Sequence, residues 1–350
     1  MNDPWGLVSC QNDGILERQK PMSFVLLVLF VIVFQGLVIT SPAISDTIKL
    51  SWPVDCQLRE YCHIQQYVDH DPTSGSRDYR CGSLSYDGHK GTDIRTATIA
   101  EMNHGVAVLA AHEGKVTGIR NGMPDVSIES PDKIDVSGRE CGNGVVLSHS
   151  NGWETQYCHL KAGSVIVRPG EWVTQGQYLG DIGLSGFTTF PHLHFSVRRF
   201  GEVVDPFAPQ YDGTCQITDQ DTLWQDAIPY IPTGILASGF ATKIPDFSEA
   251  KEGLPPVETL SEDAPAIVAW AMYFGARTGD TLSFFISGPG GFEFNYSHDV
   301  ERTQAQAIHS AGKRKPPDSW VPGTYSARVS YYREGQEQWS SSYSVIVTPD

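Results

Sequence analysis

From Gly105 to Val197 the chain is a succession of strand-length apolar runs broken by glycine: GVAVLAAHEGKVTGI, GVVLSHS, WETQYCHL, SVIVRPGEWV, YLGDIG and HLHFSV. Apolar residues in these runs alternate or follow one another over four to eight positions, which is strand patterning rather than the three-to-four spacing of an amphipathic helix. With no helical stretch between them to carry a parallel crossover, such strands pair antiparallel. The expected fold is therefore mainly β, built on an antiparallel sheet. Asp205-Pro206 closes this region, and residues 50–88 before it read as irregular, with turn clusters such as Asp71-Pro72-Thr73-Ser74-Gly75.

A second group of short runs, VAWAMYF, TLSFFISG, GFEFNYS, GTYSARVSYY and SYSVIVTP, occupies the last 85 or so residues and suits a small β-sandwich of immunoglobulin-like type. The Pro- and Glu-rich stretch from Lys243 to Pro265 reads as a linker between the two groups. The expected organisation is a leader over 1–43, a Cys-containing segment over 44–88, a first β domain over 89–242, the linker over 243–265 and the sandwich over 266–350. Lys313-Arg314-Lys315, the only basic run, reads as a solvated loop. With a formal net charge of −16 the chain is a poor match for nucleic acid or an anionic membrane surface.

Phe24 to Val38 is almost wholly apolar, preceded by Arg18 and Lys20 and followed by Ser41-Pro42-Ala43. That is the layout of a secretory signal, or of an uncleaved anchor over residues 24–38, and it predicts export to the periplasm or cell envelope. Six cysteines follow it (Cys56, Cys62, Cys81, Cys141, Cys158 and Cys215), an even number that allows three disulfides outside the cytosol. One pairing can be argued. Asn151-Gly152 predicts a hairpin turn between GVVLSHS and WETQYCHL, which sets Cys158 opposite Val145 and near Cys141.

Three segments carry the chemistry: Gly88-His89-Lys90-Gly91-Thr92-Asp93, Gln156-Tyr157-Cys158-His159-Leu160 and Pro191-His192-Leu193-His194-Phe195. On a strand, residues two apart share a face, so His192 and His194 project together while Leu193 and Phe195 face the core. The same rule puts Tyr157 and His159 on one face. Glycine on both sides of His89 argues for a loop entering a strand, with His89 and Asp93 delivered to one ion. Such a set supplies the nitrogen and oxygen ligands of a catalytic zinc, whose fourth position is left for water. His63, His70, His104, His112, His298 and His309 show no comparable grouping.

The order H-x-x-x-D, Y-x-H-L and P-H-L-H-F, with the strands between, resembles the lysostaphin/LytM-type zinc endopeptidases over about residues 86–207. The resemblance implies that His89, Asp93 and His194 bind Zn²⁺. It implies that His159 and His192 act as base and transition-state stabiliser, and that peptide bonds of bacterial peptidoglycan are the substrate. Two positions depart from the family pattern: Ser196 stands where many relatives carry Glu, and Thr189-Phe190 replaces Thr-Gly. Two other functions fit the same residues, a silent activator of another wall hydrolase and an exported protease of Gly-rich peptides. The C-terminal β domain lies outside the resemblance and is a candidate docking surface for an envelope protein.

Overall fold

The computed structural model describes residues 47–215 and 221–350, so the expected leader lies outside the described residues. Among the described residues no helix is long and apolar enough to cross a membrane. The first half contains β1 (Cys62–Gln66), β2 (Thr92–Thr96), α1 (Ile99–His104), β3 (Ala107–Leu109), β4 (Gly114–Arg120), β5 (Asn143–Ser148), β6 (Trp153–Leu160), β7 (Trp172–Val173), β8 (Tyr178–Asp181), β9 (His192–Arg199) and β10 (Glu202–Val203). Its main sheet runs β1-β2-β9-β6-β5-β4-β7, with β10 on β9, and every pair is antiparallel. Strands β3 and β8 form a separate pair. The antiparallel expectation is met, and β1 adds a strand inside the stretch read as irregular.

Alternation divides this sheet into a core face and a polar face. Ile94, Leu193, Phe195, Val197, Tyr157, Val145 and Leu147 are buried in one hydrophobic cluster. Asp93 is paired with His194, and Arg95 with His192, across β2 and β9, so the intervening positions bring the polar residues to the other face.

The second half contains β11 (Gly234–Ala241), α2 (Phe247–Glu252), β12 (Thr259–Ser261), β13 (Ala266–Ala276), β14 (Thr281–Gly288), β15 (Phe292–Asp299), β16 (Gln304–Arg314), β17 (Gly323–Arg333) and β18 (Gln336–Thr348). Two sheets, β11-β13-β16 and β12-β18-β17-β14-β15, enclose a second core of Ile267, Ala269, Tyr273, Phe284, Ile286, Val329, Tyr331 and Val345. The outer face of β13 does not meet solvent. Trp270, Met272 and Phe274, with Leu236 of β11, join the cluster of the first half. At about 2 kcal/mol for each buried large side chain, that contact binds the two halves firmly, and residues 45–350 form one compact unit.

Three expectations are corrected here. The stretch from Lys243 to Pro265 is not a bare linker: it holds α2, capped by Asp246 and Glu249, and β12, which pairs parallel with β18. The sandwich sheet begins at Gly234 rather than near 266, because β11 pairs with β13. Lys313 and Arg314 end β16 instead of forming a loop, and Lys315 pairs with Asp263 at 2.6 Å. Composition signalled a linker because prolines flank these elements, and the elements themselves are too short for their periodicity to register.

The structure pairs Cys141 with Cys158, Cys56 with Cys62, and Cys81 with Cys215 across 134 residues. The hairpin is present, but Val145 faces Tyr157, one residue off the expected register. Ser150–Gly152 form a three-residue turn with Asn151 at φ 56°, and a bulge between Asn143 and Val145 then restores the offset.

Candidate metal centre

Four imidazoles and one carboxylate converge on the polar face of β2, β6 and β9. His89 comes from the loop before β2. Its Nδ1–H donates to the Tyr67 carbonyl at 2.7 Å, which leaves the Nε2 lone pair facing inward. Nε2 lies 3.1 Å from Asp93 Oδ1 and 3.2 Å from His194 Nδ1. His194 Nδ1 is in turn 2.8 Å from the same carboxylate oxygen. Its far nitrogen donates to Ser196 Oγ at 3.0 Å, and Ser196 donates to the Lys90 carbonyl at 2.9 Å. Ser196, noted in the sequence as a departure, thus fixes the His194 tautomer.

The other two histidines are oriented in the same way. His159 Nδ1–H donates to the Ser185 carbonyl at 2.7 Å. His192 Nδ1–H donates to the Phe190 carbonyl at 2.9 Å, while its Nε2 is 3.4 Å from Asp93 Oδ1. The two rings are 4.6 Å apart, and the His159 ring is 5.9 Å from that of His194. All five residues named from the sequence are therefore brought together. Tyr157 is not: its ring lies in the core, and its hydroxyl accepts from the Ala111 N–H at 2.8 Å. His159 leaves that face because its backbone is left-handed, at φ 62°, with its N–H donated to the Cys141 carbonyl at 2.8 Å.

Hydrogen bonding to outer carbonyls leaves lone pairs and a carboxylate pointing at one another, an arrangement that is stable only with positive charge at its centre. The titration directions agree. Burial opposes ionisation of Asp93, but attraction to His89 and His192 and its close contacts with His192 and His194 outweigh it and hold the carboxyl well below its usual range. Burial pulls His89 down while Asp93 draws it up, and Asp93 prevails. Burial lowers His194, and burial with its neighbouring imidazoles lowers His159 strongly.

Two overlapping sets of donors could hold an ion, His89–Asp93–His194 and His159–His192–His194. The first contains the carboxylate. Its three donor separations, 2.8 to 3.2 Å, lie close to the roughly 3.4 Å spacing that tetrahedral zinc with bonds of about 2.1 Å imposes. The residues present fit a divalent cation.

Sequence reasoning places Phe190 beside the site and misses its other neighbours. Tyr67 and Ser185 act through backbone carbonyls, which leave no residue-type signal. Phe190 stacks on His192 with ring centroids 4.4 Å apart. Arg95, buried across from His192, places its guanidinium 4.7 Å from the centre of the Phe190 ring. Tyr86, half exposed, lies 4.4 Å from the His89 ring.

Residues 87–206 match Peptidase family M23. The chain is 31% identical over 127 residues to the cell division protein DipM of Caulobacter vibrioides, a match covering 36% of this chain and 18% of that protein. It is 35% identical over 100 residues to the peptidoglycan DD-endopeptidase ShyA of Vibrio cholerae, covering 28% of this chain and 22% of ShyA. The chain thus spans about a fifth of these relatives' length. Among solved structures it resembles a zinc-containing peptidase from Vibrio cholerae at 27% identity and a TM-score of 0.26, covering 41% of this chain and 38% of that one.

Proposed function

Taking residues 87–206 as a peptidase family M23 domain, we propose that this protein is a zinc-dependent endopeptidase that hydrolyses peptide bonds in bacterial peptidoglycan. The observation that carries the reading is the convergence of His89 Nε2, Asp93 Oδ1 and His194 Nδ1, each aimed by a hydrogen bond or strand position outside the cluster. ShyA's description as a peptidoglycan DD-endopeptidase supports the substrate class.

His89, Asp93 and His194 would hold the ion. When bound, zinc supplies Lewis acidity toward the scissile carbonyl and lowers the pKa of water to near neutrality. His159 would act as base. Its Nδ1–H is committed to Ser185, its Nε2 is free, and burial keeps it neutral, so Nε2 can take the proton of the attacking water and return it to the leaving amine. His192 presents Nε2 beside Asp93, where the imidazole would face the developing oxyanion. The three disulfides support an oxidising compartment and hence export to the periplasm or cell envelope.

The test is paired: zinc per chain in the purified exported portion, and the masses of fragments released from intact sacculi. One zinc per chain with peptides cut at a cross-link is the expected result. Zinc without fragments from any murein substrate would overturn the hydrolase reading, and absence of zinc would overturn the ligand set.

A further inference from the structure

We infer that the C-terminal sandwich helps to position the active site, through a chain of contacts from Gln306 to Arg95 to Phe190 to His192. The inference rests on the proposed endopeptidase for the meaning of His192, and on geometry for the rest.

Arg95 sits on the polar face of β2, directly across from His192 on β9. It is 1% exposed, and its guanidinium hydrogen-bonds to neutral acceptors, with the Glu101 carboxylate near enough to favour its charge. Nε donates to the Thr96 carbonyl at 2.9 Å and Nη2 to the Ala97 carbonyl at 3.0 Å. Nη1 donates to Gln65 Oε1 and, at 2.9 Å, to Oε1 of Gln306 on β16 of the sandwich. A guanidinium buried this far depends on every acceptor it has, because removing one leaves a charged donor without solvent.

The same guanidinium packs 4.7 Å from the centre of the Phe190 ring, a cation–π contact with a buried cation and a half-buried ring. Phe190 lies flat against His192, at 27° and 4.4 Å, and its carbonyl accepts the His192 Nδ1–H. Thr188 Oγ1 donates to that carbonyl at 2.8 Å. The His192 ring is therefore packed against both Phe190 and His159. Two members of the relay lie outside the resembled pattern: Phe190 stands where the resembled family carries glycine, and Gln306 belongs to the sandwich. Removing the Gln306 acceptor frees the guanidinium to turn, and the ring it supports turns with it. Gln306 and Arg95 are positioning residues, since neither touches the reacting atoms.

The experiment compares Gln306→Met, which keeps length and loses the acceptor, with Gln306→Glu, which keeps it. Both are made in the full chain with zinc content measured. In Gln306→Met, kcat on sacculi should fall about tenfold with KM and zinc unchanged, the size expected of a small misplacement. The His192 ring-proton resonances, displaced by the Phe190 ring, should move toward ordinary imidazole positions. Gln306→Glu should restore both. Wild-type kcat and unmoved resonances in Gln306→Met would overturn the inference, as would an equal loss in both variants. If the wild type releases nothing from sacculi but the His192 resonances still move in Gln306→Met and return in Gln306→Glu, the endopeptidase reading fails and the positioning stands.

Discussion

His194 lies where it does because residue 91 has no side chain. A Cβ built at Gly91 would come within 2.6 Å of His194 Nε2 and 2.9 Å of the Phe195 carbonyl. Gly91→Ala should therefore displace the imidazole and cost most of the bound zinc, measured as metal per chain, while far-ultraviolet circular dichroism stays that of the wild type. Ser196→Ala removes the acceptor that fixes the His194 tautomer and should weaken zinc affinity about tenfold in a chelator competition. His159→Ala tests the proposed base: it should retain zinc and lose between about 10² and 10⁴ in kcat, because a base is not a ligand. At this scale the sequence is readable where strand period alone decides the outcome, as with His192 and His194. It was unreadable at Tyr157 and His159, where a left-handed backbone at φ 62° breaks the alternation. The carbonyls of Tyr67, Ser185 and Phe190 leave no trace in residue type.

Among the elements, β13 reads AIVAWAMYFGA, and ten of its eleven positions are buried. An antiparallel strand with one solvated face alternates; an unbroken apolar run signals that both faces are covered. The run reads as a strand of a sandwich, but a sandwich alone explains only Ile267, Ala269, Ala271, Tyr273 and Ala276. Trp270, Met272 and Phe274 need the other half of the molecule. Trp270→Ala should cost about 3–5 kcal/mol of global stability in denaturant titration, the range for a large core ring. Both halves should unfold in that titration at one midpoint. The hairpin shows the opposite limit, since Asn151-Gly152 signalled a turn and could not signal its length or the compensating bulge. The Cys141–Cys158 pairing survived that slip because a register error of one residue moves a cysteine by less than a disulfide's reach.

Across the whole molecule, buried histidines make folding depend on acidity. His63 is lowered to about 4 by burial and then by the Arg95 charge, and His149 and His309 are lowered to about 4, chiefly by burial. Each is neutral when folded and binds a proton more readily when unfolded, so its stabilisation is complete above pH 6.5 and is lost as pH falls toward 4. His63 alone accounts for about 3 kcal/mol between pH 7 and pH 4. The melting temperature should drop steeply across that window, and replacing His63 by glutamine should flatten the drop. His63 also touches Phe274, ring centroids 5.5 Å apart, so this sensitivity sits on the seam between the halves. A chain ending at residue 242 should be insoluble or molten, judged by near-ultraviolet signal and dye binding, because it would bare the surface that Trp270, Met272 and Phe274 cover.

The doubly covered strand has a meaning for inheritance and for engineering. A domain hung on a flexible tether can be exchanged, duplicated or discarded by recombination, and its neighbour does not notice. Here a crossover between the halves would open a core, because Trp270, Met272 and Phe274 belong to the same cluster as the first half's sheet. Chimeras that borrow the histidine-bearing half for use elsewhere would have to carry β11, β13 and β16 with it, or resurface the face they conceal.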